Sequence, residues 1–139
     1  LWYHVSKVRA INLPLYGYQH RDGSISTTYT ILNLRSYEHI FAKFVQLYKE
    51  RIVEAAAELY WQTVMGYLAQ MYTNCLYNYG QLSIQERKDN YYILRDYASL
   101  LNHSISIKSH RVVKLKRWIG LRLTVWVFMQ YGNIRRKLK

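Results

Sequence analysis

The sequence predicts a mainly α-helical protein, with a short β segment at its N-terminus followed by a bundle of three to four helices. From about residue 31, apolar residues recur at the i, i+3, i+4 spacing of an amphipathic helix. Ser83-Ile84-Gln85-Glu86 matches the capping box that begins many helices. Before residue 30 the apolar period is two, and the only proline, Pro14, stands there. These observations divide the chain into a small β part and a larger helical part.

The first 29 residues are predicted to hold one or two short strands and a polar loop. Residues 7–11 alternate polar and apolar side chains, as a half-buried strand does. Pro14 fits the start of a strand, because proline cannot donate a ladder hydrogen bond. The pair Asp22-Gly23 tolerates the positive φ of a tight turn. A loop of this kind is where a scaffold presents ligand-binding groups.

Two long helical runs are expected between residues 31 and 79. The first carries apolar residues at helical spacing: Leu34, Tyr37, Ile40, Phe41, Phe44, Leu47, Tyr48 and Ile52. The second, from Glu54 to Tyr79, has a broad apolar face: Leu59, Tyr60, Val64, Tyr67, Leu68, Met71, Tyr72, Cys75, Leu76 and Tyr79. Gly80 is expected to follow this helix as its C′ residue. Because neither Gly nor Pro marks Ile52-Val53, the sequence leaves open whether the chain bends there.

A third helix is predicted from Ile84 to about Asn102, after the capping box. Five of its residues are expected to face inward: Tyr91, Leu94, Tyr97, Ala98 and Leu101. Short connections favour antiparallel neighbours, so the helices are predicted to pack as a small antiparallel bundle.

Positive charge is concentrated near the end of the chain. The formal net charge is +12, and ten of the 20 Lys and Arg residues lie from Lys108 onward. No acidic residue follows Asp96. Such a balance indicates an anionic partner such as lipid headgroups, nucleic acid or a phosphorylated substrate. The single cysteine, Cys75, excludes an internal disulfide and a cysteine-rich zinc site, and it is expected to be a buried side chain.

The sequence of the basic tail, residues 108–139, is compatible with three interpretations. Its apolar stretch of about a dozen residues is too short to span a membrane, which takes ~20. It suits a helix lying in the membrane interface, with five residues predicted to contact an anionic surface: Lys114, Lys116, Arg117, Trp118 and Trp126. Alternatively, its apolar residues complete the bundle core and its cations form a solvated face. A third interpretation is a β-strand, since residues 123–128 are rich in β-formers.

Residues 13–25, LPLYGYQHRDGSI, resemble the pattern PLYyYrqRxGSI found late in the catalytic domain of many bacterial family 2 glycosyltransferases. Residues 2–12 are similar to the segment that precedes this pattern in the family. The resemblance implies that residues 1–29 end a GT-A-type α/β catalytic domain. Residues 30–107 would then be the helical C-terminal region, and residues 108–139 a basic amphipathic tail.

The same resemblance implies how the loop acts. Arg21 is expected to neutralise the leaving nucleoside diphosphate, because a guanidinium pairs bidentately with phosphate oxygens but cannot ligate a metal. Ser24 would fix the loop and Tyr18 would shape the pocket wall, with His20 as a secondary substrate-binding candidate. Nucleotide-sugar donor and glycan acceptor would be the partners, and Mg²⁺ or Mn²⁺ the expected metal of the complete enzyme.

The catalytic carboxylates of that family are not among the eight acidic residues of this chain. The DxD-type motif and the acidic pair that supplies the base are expected before Leu1. This chain is therefore expected to be the C-terminal piece of a larger enzyme, to hold no catalytic or metal-binding residue, and to be inactive alone. The enzyme would lie in the bacterial cytoplasm, on the inner face of the membrane, and loss of its sheet would favour self-association.

Two other classes of protein fit the sequence. One is a non-catalytic basic helical module that binds nucleic acid through its tail, and the other is a domain without a catalytic link that binds an anionic membrane surface or oligomerises. Nucleic acid is the less favoured partner, because no named binding motif is present and most tyrosines lie on apolar helix faces. An independent hydrolase or metalloenzyme is poorly supported, since the histidines have no ligand spacing and no catalytic triad or phosphate loop stands out.

Overall fold

The structure is a computed structural model, and it describes residues 29–50 and 55–137. The helices of this part are α1 (Ile31–Glu50), α2 (Ala55–Asn78), α3 (Ile84–Asp96) and α4 (Ile107–Lys137). Two 3₁₀ segments, Tyr79–Gln81 and Ala98–His103, connect α2 to α3 and α3 to α4. No strand occurs within the described ranges. The predicted mainly α-helical bundle is confirmed.

Two expectations about β structure have different outcomes. The strand and loop predicted for residues 1–29 lie outside the described residues, as does the junction at Ile52-Val53. The β alternative for residues 123–128 is wrong, because the segment is part of α4. Its buried residues, Thr124, Val125 and Phe128, follow the three-to-four-residue period of a helix rather than the alternation of a strand.

The start of α3 was predicted correctly because its cap is local. Ser83 Oγ accepts a hydrogen bond from the Glu86 amide at 3.2 Å, and the Glu86 carboxylate accepts one from the Ser83 amide at 2.8 Å. This confirms the capping box. At α4, Ser106 Oγ accepts from the Ser109 amide at 3.2 Å in the same N-cap position.

The end of α3 was predicted wrongly. The helix stops at Asp96 instead of Asn102, and the next six residues form a 3₁₀ segment. The Tyr72 hydroxyl, buried in α2, donates a 2.6 Å hydrogen bond to the Leu94 carbonyl. A carbonyl near a helix end has no intrahelical partner, so a tyrosine from another helix satisfies it here. No local sequence signal announces such a long-range cap.

The core lies around α2, which contacts α1, α4 and both 3₁₀ segments. Every helix contributes fully buried side chains to it: Leu34, Phe41, Tyr72, Cys75, Leu76, Ile93, Leu94, Leu100, Leu101 and Val112. The Phe41 ring lies 6.3 Å from the Tyr72 ring and 5.5 Å from the Tyr97 ring, centroid to centroid. This aromatic cluster joins α1 to α2 and to the end of α3.

Three residues assigned to apolar helix faces are exposed instead: Leu47, Leu59 and Tyr67. Leu59 and Tyr67 lie on the side of α2 that also carries the exposed polar residues Gln70 and Asn74. The period alone could not exclude them, because α2 is apolar over more than half its circumference.

The segment α4 consists of two helical halves joined at Gly120, where the chain folds back. Early in α4, the Ser109 Oγ lies 3.1 Å from the Thr73 hydroxyl of α2. Near its end, Gly132 lies directly against the Tyr77 carbonyl. A straight helix would separate residues 109 and 132 by about 35 Å, whereas Thr73 and Tyr77 are about 6 Å apart along α2. Both contacts form because Gly120 has φ 76° and ψ 170°, a backbone conformation that is essentially restricted to glycine.

The C-terminal half of α4 approaches α2 closely through glycine. A Cβ placed on Gly132 would collide with the Tyr77 carbonyl oxygen, and one on Gly80 would lie 2.7 Å from the Met129 side chain. Gly80 follows the end of α2 by two residues, as predicted, but it lies inside the 3₁₀ segment and lacks the positive φ of a C′ glycine. Its importance is the space that it leaves for α4.

We expect the Gly120→Ala substitution to lower the free energy of unfolding by about 1–3 kcal/mol. An added Cβ would meet no atom within 4 Å, so the cost would come from the backbone conformation alone. Urea denaturation followed by circular dichroism measures it.

The control is Gly66→Ala in α2, where the new methyl would lie 2.8–3.0 Å from three carbons of the exposed Ile105 side chain, which must shift to make room. Alanine has the higher helix propensity, so this change should stay within about 1 kcal/mol of wild type. Equal stability of the Gly120→Ala variant and wild type would contradict the fold-back at Gly120.

Candidate functional site

The turn of α4, residues 117–123, forms an exposed apolar tip that we call the α4 apex. Trp118 is 85% exposed, and Ile119 and Leu123 are also exposed. The neighbouring cations Arg117 and Arg122 are exposed as well. A tryptophan held out into solvent between arginines is unusual for a surface that contacts only water, since large apolar side chains are normally covered.

Four of the five residues predicted to contact an anionic surface lie exposed on α4: Lys114, Arg117, Trp118 and Trp126. The fifth, Lys116, is half-buried, and its ammonium donates a 3.0 Å hydrogen bond to the Ala98 carbonyl. Lys116 therefore ties α4 to the 3₁₀ segment that follows α3. Its charge is engaged inside the bundle rather than directed outward.

The C-terminal half of α4 is apolar on two sides. Val125 and Phe128 are buried against the bundle, with the Phe128 ring 4.9 Å from the Tyr77 ring. On the outer side, four large apolar residues are exposed: Leu123, Trp126, Tyr131 and Ile134. A helix with apolar residues on its solvent side indicates a surface that another apolar phase or partner covers.

A cavity of about 520 Å³ lies beside the N-terminal half of α4. Its described lining consists of three exposed cations, Arg111, Lys114 and Arg117, with Val113, Leu115 and Trp118. All belong to one helix. The concave surface combines apolar walls with positive charge and lies next to the apex.

A second groove, of about 390 Å³, lies between α3 and the C-terminal half of α4; we call it the α3–α4 groove. Its floor is formed by Tyr79, Tyr91, Val125 and Met129, which are buried or half-buried. Its rim carries three cations, Arg87, Lys88 and Arg122, together with Ile84 and Trp126. The groove thus has an aromatic floor and a cationic rim.

Specific contacts arrange the groove. The Arg87 guanidinium lies 2.8 Å from the Met129 sulfur, across the gap between α3 and α4. The Tyr79 hydroxyl donates to the Arg87 carbonyl, and burial raises the pKa of Tyr79 to about 12, against the lowering effect of the Arg87 charge. Burial also raises the pKa of Tyr91, while Arg122 lowers it. Both tyrosines are therefore neutral donors at neutral pH.

The described residues hold neither a cluster of metal ligands nor a reactive thiol. No cluster of three His, Cys, Asp or Glu suited to a metal ion occurs among them. Burial raises the pKa of Cys75 to about 12, so its thiol stays protonated and unreactive at neutral pH. Within residues 29–50 and 55–137, no helix has the length and apolar character to cross a membrane. The predicted substrate-binding residues Tyr18, His20, Arg21 and Ser24 lie outside these ranges.

The sequence did not single out the α3 side of the groove. Arg87, Lys88 and Tyr91 are close in sequence, but a charged pair on a helix is usually a solvated face. Only the packing of α4 brings Arg122 beside Tyr91 and Met129 beside Arg87. The sequence analysis also missed the turn at Gly120. An isolated glycine is often tolerated inside a helix, so Gly120 by itself does not predict a turn.

Comparison of the chain with protein-family models, with curated proteins and with solved structures finds no match. Fold and site together define a basic helical bundle with an exposed aromatic apex and a cationic groove.

We expect Lys116→Met to lower the free energy of unfolding by about 1 kcal/mol, because it removes the donor to the Ala98 carbonyl. Lys114→Met, two residues earlier on an exposed position, should change it by less than about 0.5 kcal/mol. Urea denaturation of both variants compares them directly. Equal effects would show that the Lys116 hydrogen bond does not hold α4 in place.

Proposed function

We propose that this chain is the C-terminal part of a nucleotide-sugar-dependent glycosyltransferase whose helical region contacts an anionic membrane surface. The enzyme would move a sugar from a nucleotide-sugar donor to a cell-surface polysaccharide or a lipid-linked acceptor. Residues 1–29 would border the donor site, and α4 would hold the enzyme where its acceptor lies.

The observation that carries the catalytic part of this proposal is the run at residues 13–25. It has Pro14, Tyr16 and Tyr18, an arginine and a Gly-Ser pair in the order of the family 2 glycosyltransferase pattern. Arg21 would pair with the diphosphate of the leaving group, because its guanidinium is permanently charged and offers two parallel donors. The helical region that follows the run agrees with the family in character.

The observation that supports membrane contact is the α4 apex. Trp118, Ile119 and Leu123 would enter the interface while Arg117 and Arg122 meet anionic headgroups. Tryptophan favours the headgroup level of a bilayer, and each nearby basic residue adds about 1 kcal/mol on an anionic leaflet. The proposal therefore places the protein on the membrane surface, not across it.

We predict that Arg21→Ala reduces sugar transfer on the order of 100-fold or more in the open reading frame that contains this chain. The assay is transfer from nucleotide sugars in the presence of Mg²⁺ or Mn²⁺. Arg35→Ala, an exposed arginine on α1, is the matched control and should leave transfer unchanged. Near-normal turnover of the Arg21 variant would refute its proposed role.

We predict that Trp118→Ala weakens binding of the 139-residue chain to anionic vesicles roughly tenfold. The free energy of unfolding should stay within about 0.5 kcal/mol of wild type, because the side chain is exposed. Vesicle sedimentation measures the binding, and added salt should weaken it by screening Arg117 and Arg122.

The control for this variant is Leu32→Ala, which removes an exposed apolar side chain from α1. It should bind vesicles as wild type does. If Leu32→Ala and Trp118→Ala lose binding equally, or neither loses any, the α4 apex is not the contact surface.

The alternative is a basic helical module without a catalytic partner. The exposed apex and the α3–α4 groove favour it, since both would bind anions without any enzyme attached. Nucleic acid is the less favoured partner, because the sequence has no named binding motif and, of the described tyrosines, only Tyr67, Tyr92 and Tyr131 are exposed. Vesicle binding with no nucleotide-sugar activity in the full reading frame would favour the module.

A further inference from the structure

We propose that the α3–α4 groove is a binding site for a doubly charged phosphate group carried by a lipid, with the lipid chains lying along the exposed apolar side of α4. This deepens the proposed membrane contact and rests on it. It adds a specific headgroup site to a surface that would otherwise attract any anionic lipid.

The rim of the groove supplies the charge for such a ligand. Arg87 and Lys88 are consecutive residues of α3, and Arg122 reaches the same groove from α4. Among the described residues, the one ion pair joins Arg95 to Asp96, and it lies outside the groove. None of the three rim cations therefore forms an ion pair with a described carboxylate. Three cations around one concavity favour a group with about two negative charges, such as a phosphate monoester or a diphosphate.

The acidic residues of α3 do not compete for these cations. The Glu86 carboxylate accepts a hydrogen bond from the Ser83 amide, and this bond lowers its pKa. The Asp89 carboxylate accepts from Gln85 Nε2 at 2.8 and 3.0 Å. Neither residue lines the groove. The charged side chains that line the groove are therefore the three cations of the rim.

The floor of the groove supplies hydrogen bonding and an apolar support. Tyr91 is half-buried and lines the same groove as Arg122, so the groove combines a phenol with a guanidinium. The Arg87 guanidinium has only the weak Met129 sulfur as a side-chain acceptor among the described residues. A phosphate oxygen is a far stronger acceptor and would replace the sulfur.

Continuity with the α4 apex identifies a lipid as the carrier of this phosphate. Trp126 lines the groove and is also 56% exposed on the outer side of α4. Leu123 and Ile134 extend the same apolar side in both directions from it. A headgroup held by the rim would therefore have its acyl chains beside an apolar surface that points toward the proposed membrane. A water-soluble phosphate would leave that surface uncovered.

The test compares binding of the 139-residue chain to neutral vesicles that contain either phosphatidic acid or phosphatidylglycerol, at matched total headgroup charge. Phosphatidic acid carries a phosphate monoester, and phosphatidylglycerol carries a diester with one charge. We expect wild type to prefer phosphatidic acid about tenfold. Arg122→Gln should abolish the preference for phosphatidic acid. It should weaken binding to phosphatidylglycerol only as much as the loss of one positive charge elsewhere on α4 does.

Arg111→Gln is the matched control, since it removes the same charge from an exposed position of α4 outside the groove. It should weaken binding to both lipids equally and leave the preference intact. Lys88→Gln, exposed on the rim, is a second test variant and should also reduce the preference. Equal binding of wild type to the two lipids would overturn the headgroup site and leave the general membrane contact standing.

A titration with glycerol 3-phosphate, followed by the indole NMR signal of Trp126, separates the two sources of phosphate. Weak binding of this water-soluble ester, with tight binding to phosphatidic acid vesicles, supports a lipid ligand. Tight binding of the ester without binding to any vesicle would overturn the lipid assignment and the proposed membrane contact together.

Discussion

The conformation of Gly120 is the constraint on which the arrangement of the described helices depends. With φ at 76° and ψ at 170°, it turns α4 back on itself, so that both halves of one helix pack against α2. An l-amino acid with a Cβ would resist this conformation. Without the turn, Val112 could not share a core with Val125 and Phe128, and the C-terminal half of α4 would have no helix to cover.

Two kinds of contact hold the halves of α4 in position. The N-terminal half is fixed by polar groups: Ser109 meets Thr73 in the interior, and the Lys116 ammonium reaches the Ala98 carbonyl. The C-terminal half is fixed by shape, because Gly132 lets its backbone lie against the Tyr77 carbonyl. Hydroxyl groups buried without partners would be costly, so the Ser109–Thr73 pair also specifies how the helices are aligned.

This packing determines which side chains are left for a partner. The apex holds Trp118 away from the bundle, and the close approach at Gly132 turns Trp126 and Ile134 outward. The same approach opens the groove between α3 and α4, where cations from both helices meet. The apex and the groove would then be two parts of one membrane-facing surface, because the exposed side of α4 connects them through Trp126.

The sequence by itself determined the helical class, the capping box at Ser83, the burial of Cys75 and the positive charge of residues 108–139, but it left open whether Trp118 and Trp126 are buried. These follow from local chemistry: the hydrophobic period, a cap that spans four residues, and a basic tail without acids. The resemblance of residues 13–25 to the glycosyltransferase pattern is also local, because it lies within a single short segment.

Only the tertiary structure decided the end of α3, the exposure of Leu59, the role of Lys116 and the existence of the α3–α4 groove. Three of these depend on contacts between groups far apart in the chain: the Tyr72 hydroxyl on the Leu94 carbonyl, the Lys116 ammonium on the Ala98 carbonyl, and the Arg87 guanidinium beside the Met129 sulfur. A helical period states which side of a helix is apolar, but not which other helix covers it. In α4 the apolar residues extend around most of the helix. The fold-back at Gly120 therefore determines which of them are buried against the bundle and which remain exposed.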